Sequence, residues 1–254
     1  MFVQAPCTAL RPFVQRFLVV EARVAHRDSH LPGTGVVAAF SIAGECVVDG
    51  ARRTPPAAVT GLWHTARTHD HGGGHTVVLA EFTPVGAAAL LRAPLDELAN
   101  RTVDLGEFLA GDDALDCLHE TLVRAPNHAR RVAALEQFFL RQVAGTVPDP
   151  LVAAAVARIE ESGGTVRIAD VVRRVGLSQS ALERRFRAGV GASPRRFASI
   201  VRLRNVARLR AAGHDFGTIA HAAGYHDQPH FNRDFKSATG VAPEDYFRTT
   251  DAVL

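Results

Sequence analysis

The chain has 254 residues, a formal net charge of +3, 47% hydrophobic residues and 22% charged residues. That is enough for one large or two ordinary soluble domains, and no apolar run approaches the roughly 20 residues needed to cross a membrane. Three scattered cysteines, Cys7, Cys46 and Cys117, cannot form a disulfide framework, and no leader-like segment opens the chain, so a cytoplasmic protein with no membrane partner is expected.

In chain order, short β-rich runs at 14–24, 36–42, 46–48, 59–63 and 76–82 are separated by Gly, Pro and Asp clusters. Strands of this length and spacing predict a small antiparallel barrel or sandwich. Thr83-Pro84 is expected to cap a helix through Leu91, and helices are expected over 112–123 and 127–142. In the latter, Val132, Leu135, Phe138 and Phe139 fall on or near one face.

The segment 145–150, with Pro148 and Pro150 flanking Asp149, predicts a linker, because no helix continues through it. Asp149 is placed to cap the next helix, with Pro150 at its first position. The charge divides at this seam. Residues 151–254 carry 16 Lys+Arg against 10 Asp+Glu, whereas the preceding residues carry 13 against 16. A basic C-terminal half of this kind suits a polyanionic partner.

Within that half one pattern occurs twice, the second copy beginning at Asp227, 49 residues after Ser178. In the first copy Ile168, Val171, Val172 and Val175 make a short amphipathic helix, Gly176 turns the chain, and Ser178 caps a second helix. In the second copy Phe216, Ile219, Ala220 and Ala223 make the helix, Gly224 turns and Asp227 caps. Helix, glycine turn and capped helix form the helix-turn-helix pattern. At roughly 100° per residue, Phe186 and Val190 lie on the same side as Leu182, while Ser180, Arg184 and Arg187 lie opposite. Pro229, Arg233 and Lys236 hold the matching positions in the second copy.

Arginine can donate two hydrogen bonds to guanine O6 and N7, which makes Arg184 and Arg233 base-reading candidates. Glu183 can accept from cytosine, and Asn232 or Gln228 can pair with adenine, while Arg187 and Lys236 suit phosphates. Between the copies, Ser193-Pro194 caps a predicted helix reaching Ala212, about 28 Å long at ~1.5 Å per residue. Successive major-groove faces are ~34 Å apart, so such a spacer can set two helices into adjacent grooves. Its basic residues Arg195, Arg196, Arg202, Arg204, Arg208 and Arg210 can reach the intervening backbone. Because the two heads differ, the target is expected to be asymmetric for each protomer.

The run from Gly224 to Lys236, followed by Gly240, Pro243 and Tyr246, resembles the signature of the AraC/XylS-type transcriptional regulators. The resemblance covers about residues 150–250 and implies seven helices, two helix-turn-helix motifs joined by a linker helix, and promoter DNA and RNA polymerase as partners. It places groove-facing positions on Gln179, Ser180, Glu183, Arg184, Gln228, Pro229, Asn232 and Arg233. Pro229 has no donor for base reading. The run from Phe82 to Leu91, with Pro94-Leu95 and 103–105, is similar to the cupin-like sensory domains that precede this module. That likeness implies effector binding, homodimerisation or both. The reading is therefore an α+β two-domain chain, with a cupin-like β-barrel and trailing helices over 1–146 and an all-α double helix-turn-helix domain over 149–254.

His64, His69, His71 and His75 lie within twelve residues, and His69-Asp-His71 is similar to the metal-binding HxH of enzymatic cupins. Two histidines alternating along a strand point to one face. Against this, the run of three glycines at 72–74 reads as a flexible turn with solvated histidines. The expectation is no metal, no cofactor and no enzyme, the alternative being a metal-dependent cupin-type enzyme with a DNA-targeting domain. No phosphate loop or nucleophile elbow is present in the sequence. Regulators that also repair methylated DNA need a four-cysteine zinc site, for which three scattered cysteines are too few.

Overall fold

A computed structural model of the chain describes residues 1–50, 52–109 and 112–249. The last residues of the expected C-terminal domain, 250–254, lie outside them. The first part holds β1 (Phe2–Gln4), β2 (Val14–Ala22), β3 (His26–His30), β4 (Val37–Ala43), β5 (Cys46–Val48), β6 (Arg52–Arg53), β7 (Ala57–Thr60), β8 (Arg67–His71), β9 (His75–Phe82) and β10 (Thr102–Asp104). Three helices accompany them, α1 (Gly86–Leu91), α2 (Asp112–Arg124) and α3 (His128–Gln142). Seven more follow among the described residues: α4 (Pro150–Glu161), α5 (Ile168–Val175), α6 (Gln179–Val190), α7 (Pro194–Ala211), α8 (Phe216–Ala222), α9 (Gln228–Thr239) and α10 (Pro243–Thr249).

The strands expected to close into a barrel instead make two open sheets among the described residues, of order β1-β2-β9-β4-β7-β10 and β3-β8-β5-β6. β2, β4 and β9 alternate large apolar side chains toward one face, and Phe17, Phe40, Val78, Ala80 and Phe82 are fully or almost fully buried there. α3 closes that core by laying Phe139 against Phe17 and Phe82, with Phe138 packed edge-on against Phe139. Its N-cap is Asn127, which accepts from the Arg130 amide at 3.0 Å. Thr83 does not cap α1, which starts two residues after Pro84. The Thr83 hydroxyl instead donates to the Pro12 carbonyl at 2.8 Å, tying the end of β9 to the segment before β2.

Asp149 caps α4 as the sequence predicts, accepting from the Leu151 and Val152 amides, and its second oxygen holds Arg185 of α6 at 2.9 Å. The linker ends a covalent segment without ending the core. One continuous apolar cluster runs from the sheets through α3 to Val152, Val156, Ile159, Leu182, Phe186, Phe197 and Val201. A second, smaller cluster is built from Leu203, Val206, Ile219, Tyr225, Phe231, Phe235 and Tyr246.

α7 takes part in both clusters. Its first half inserts Phe197, Ile200 and Val201 into the large one and its second half inserts Leu203 and Val206 into the small one. The turn between α4 and α5 closes onto α7 at Gly164, whose φ is +81° and where an added Cβ would lie 2.2 Å from the Ala198 carbonyl oxygen. Gly164→Ala is therefore expected to lower unfolding free energy by about 1–3 kcal/mol, the usual range for overpacking. Urea denaturation checks this, and unchanged stability would contradict the close approach.

Candidate nucleic-acid interface

The two repeated units fold as paired helices with the same internal logic. In the first, Gly176 ends α5 at φ +70°, a conformation that favours glycine, and its amide returns to the Val172 carbonyl at 3.1 Å. Ser178 then caps α6, accepting from the Ala181 amide at 3.2 Å. In the second, Asp227 caps α9, accepting from the His230 amide at 2.7 Å. That bond, with His226 beside it, holds the Asp227 carboxyl below the usual carboxylate range. The longer second turn is pinned by Tyr225, which is buried and donates its hydroxyl to Asp234 of α9 at 2.9 Å. Arg202 of α7 lies over the Tyr225 ring, 5.4 Å from its centre.

The angular reading of both helices holds. Leu182, Phe186 and Val190 are fully buried on one side of α6, and Phe231 and Phe235 are fully buried on one side of α9. Phe186 packs edge-on against Phe197 of α7, and Phe231 edge-on against Phe235 and stacked on the Phe216 ring of α8. Gln179, Ser180, Arg184 and Arg187 are exposed on α6 and Glu183 is half-buried, while Gln228, Pro229, Asn232, Arg233 and Lys236 are all exposed on α9. Each helix thus presents a polar and basic face opposite its anchoring stripe.

α7 begins at Pro194 with Ser193 accepting from the Arg196 amide, and spans 18 residues, about 27 Å at ~1.5 Å per residue. Its arginines divide into two groups. Arg195, Arg208 and Arg210 are exposed, although Arg208 donates to Asn205 and Arg210 to the His214 carbonyl. Arg202 is turned inward and donates to the Gly164 carbonyl at 3.1 Å. Arg204 is half-buried and faces the Arg16–Glu81 pair of the sheet, where burial lowers its pKa. These two arginines serve the fold, whereas the sequence allowed all six spacer arginines to reach the intervening backbone. Arg196 is exposed and lines a cavity of about 240 Å³ between α7, α9 and the loop carrying His64 and Thr65.

The reading of 69–75 as a solvated turn is also corrected. A tight turn there, closed by the His75 amide on the Gly72 carbonyl at 3.1 Å, carries the chain from β8 in one sheet to β9 in the other, leaving His71 9% and His75 2% exposed. Antiparallel pairing of β3 with β8 sets His26 opposite His71, and Asp28 opposite His69, on a shared face. His64 stands apart, its ring bonded to Asn100. The sequence reading missed His26, Asp28 and His30, although their alternation along 26–30 was the available signal. Burial alone would raise the Asp28 carboxyl, yet His30 and His71 hold it well below the usual carboxylate range. Asp28, and then Cys46, pull His71 up to about 9, whereas burial, with the His30 charge next, pushes His69 down to about 4.

Comparison with known proteins bears on both halves. A family described as a helix-turn-helix domain matches residues 171–249, and a domain of unknown function (DUF6597) matches residues 3–104. A putative AraC-like transcription regulator of Streptomyces lividans is 32% identical over 100 residues, covering 39% of this chain and 33% of that protein. Its counterpart in Streptomyces antibioticus is 31% identical over the same shares. The chain spans about a third of the length of these relatives. The crystal structure of ToxT from Vibrio cholerae superposes with a TM-score of 0.50 at 14% identity, covering 93% of this chain and 99% of that one, a likeness of fold.

The caps position the exposed faces, so they are the local features most open to test. Ser178→Ala is expected to cost about 1 kcal/mol of stability and Ser178→Gly only a few tenths. Thermal and urea unfolding of the two variants would show this order, and equal losses would mean that the side-chain bond contributes nothing.

Proposed function

We propose that the chain is an AraC-type helix-turn-helix transcriptional regulator that reads two unlike half-sites from one protomer. The observation that carries this reading is the pairing of two capped helices, each anchored by a buried aromatic stripe and each presenting an arginine, Arg184 or Arg233, on the opposite face. Residues 149–254 bind the promoter and residues 1–146 control them, in the cytoplasm and in concert with RNA polymerase. Gln179, Ser180, Glu183 and Arg184 face one major groove; Gln228, Asn232 and Arg233 face the next, with Pro229 giving only apolar contact. Arg187, Lys236 and Arg195 neutralise phosphates. Arg196, exposed beside the cavity that it lines, does so as well.

The contacts between the halves support control of the second reading head in particular. The Ala66 amide donates to the Ala238 carbonyl near the end of α9 at 2.7 Å, and the Tyr246 hydroxyl of α10 donates to the Ser29 carbonyl of β3 at 3.2 Å. Leu31 and Ala66 pack on the small apolar cluster. A ligand that changes β3 therefore acts directly on the unit that holds α9. We read the chain as a regulator and not an enzyme, because its C-terminal half is built to present the polar and basic faces of two capped helices.

Binding of the full chain to a duplex selected from a random pool tests the assignment. Arg233→Ala should cost about 1–3 kcal/mol and relax the preference at one base pair, whereas Lys236→Ala should weaken all sequences alike and reduce the salt slope by about 1. An Arg233→Ala variant that bound with wild-type affinity and selectivity would remove that residue from the reading head.

A further inference from the structure

The cluster between β3, β8 and β9 contains more converging imidazole and carboxylate groups than packing requires. Donor atoms of His26, Asp28 and His71 all lie within 4.8 Å of one another, and so do those of Asp28, His30 and His69. Buried imidazoles and carboxylates are costly unless their polar atoms are engaged, and Asp28 Oδ1 is buried with only imidazole nitrogens facing it, His30 Nε2 at 3.1 Å and His71 Nε2 at 3.5 Å.

The two groups are not equally well built. His71 is bonded through Nδ1 to His75 Nδ1 at 2.9 Å, and His75 Nε2 is bonded in turn to the Ser41 hydroxyl at 3.1 Å. This chain from the opposite sheet fixes the His71 ring and leaves its Nε2 directed at Asp28, 3.5 Å away. His26 is arranged alike, with Nδ1 on the Val24 carbonyl at 3.2 Å and Nε2 3.7 Å from the other Asp28 oxygen. Hydrogen-bonding one imidazole nitrogen to orient the other is how proteins prepare metal ligands. By contrast, the buried His69 Nδ1 has no partner. Ligands about 2.0–2.1 Å from a tetrahedral ion sit about 3.4 Å apart, close to the 3.7 and 3.5 Å that separate His26 and His71 from Asp28.

We propose that His26 Nε2, Asp28 and His71 Nε2 bind one divalent first-row transition ion of the zinc type. Two imidazoles and a carboxylate suit such an ion and leave a fourth position for water. The half-exposed His26 and Asp28 give it access from solvent, while the buried His71 forms the floor. His75 is a positioning residue that acts through His71. The pair spaced as HxH does not supply the site, since His69 falls outside it. Ser29, which accepts from Tyr246, lies beside Asp28 on the same strand. The ion is thereby the input to the second reading head, an assignment that rests on the DNA-binding function proposed above; ion binding itself does not.

Cobalt(II) titration of the full chain tests the site. One equivalent should give saturable visible absorption of a four- or five-coordinate ion, displaced by zinc, with zinc also raising the melting temperature of the unmutated chain. His26→Ala, Asp28→Asn and His71→Ala should each abolish the band or weaken binding at least 100-fold. His75→Ala should weaken it about 10–100-fold, the usual effect of losing a supporting group. His69→Ala and His64→Ala should keep the band, and circular dichroism of each variant separates lost ligation from lost fold. Absence of a one-to-one band in the unmutated chain, or its persistence in folded Asp28→Asn and His71→Ala, would overturn the site. Affinity for the selected duplex should then differ at least 5-fold between zinc and chelator. Equal affinity with zinc bound would overturn the regulatory input, whereas a cobalt band without DNA binding in either state would count against the DNA reading alone.

Discussion

Burial of α7 on both of its sides is the constraint on which the rest of the molecule depends. A surface helix is apolar along one stripe, but α7 has Phe197, Ile200 and Val201 in one core and Leu203 and Val206 in another. Each core in turn fixes one exposed helix, α6 through Phe186 and α9 through the aromatic cluster around Phe231 and Phe235. The rigidity of a single helix is thereby converted into a fixed relation between two polar faces. A length of 18 residues sets that relation on the scale of one turn of DNA.

The two helix pairs are attached to the sheets differently. α6 lies against α1 and the 95–98 turn inside the large apolar cluster, so moving it would disrupt the main core. α9 and α10 meet the first half through the Ala66–Ala238 and Tyr246–Ser29 hydrogen bonds and through the smaller, separate apolar cluster. Regions with fewer buried apolar contacts reorganise at lower free-energy cost. The second pair is accordingly the one whose local order is cheaper to change while α7 keeps its place, and the strand it touches, β3, carries the alternating histidines and aspartate.

Much of this was legible in the sequence because the helical half follows local rules. Ser178, Ser193 and Asp227 announce helix starts, Gly176 and Gly224 announce turns, and the four-residue spacing of Leu182, Phe186 and Val190 gives the buried stripe. The strands with apolar alternation, β2, β4 and β9, were legible for the same reason. β3 and β8 were not, because their inward residues are His and Asp, and a polar strand carries no hydrophobic alternation. What identifies them is pairing between residues about forty positions apart, which local pattern does not specify. The inward turn of Arg202 and Arg204 was hidden likewise, since an arginine is apolar along its stem and its destination is set by tertiary neighbours, Gly164 in one case and the Arg16–Glu81 pair in the other. Whether two sheets close into a barrel depends on edge pairing that no strand encodes by itself.

The most direct test of the account is the dependence of DNA affinity on half-site spacing. In a selected duplex, the two half-sites should be contacted on one side of the double helix. Inserting five base pairs between them turns one half-site to the opposite side. If α7 holds the reading heads rigidly, the full chain should lose the contribution of one half-site and bind the altered duplex no better than a duplex carrying a single half-site. Equal affinity for the original and the altered duplex would contradict the claim that one buried helix fixes the two heads in register.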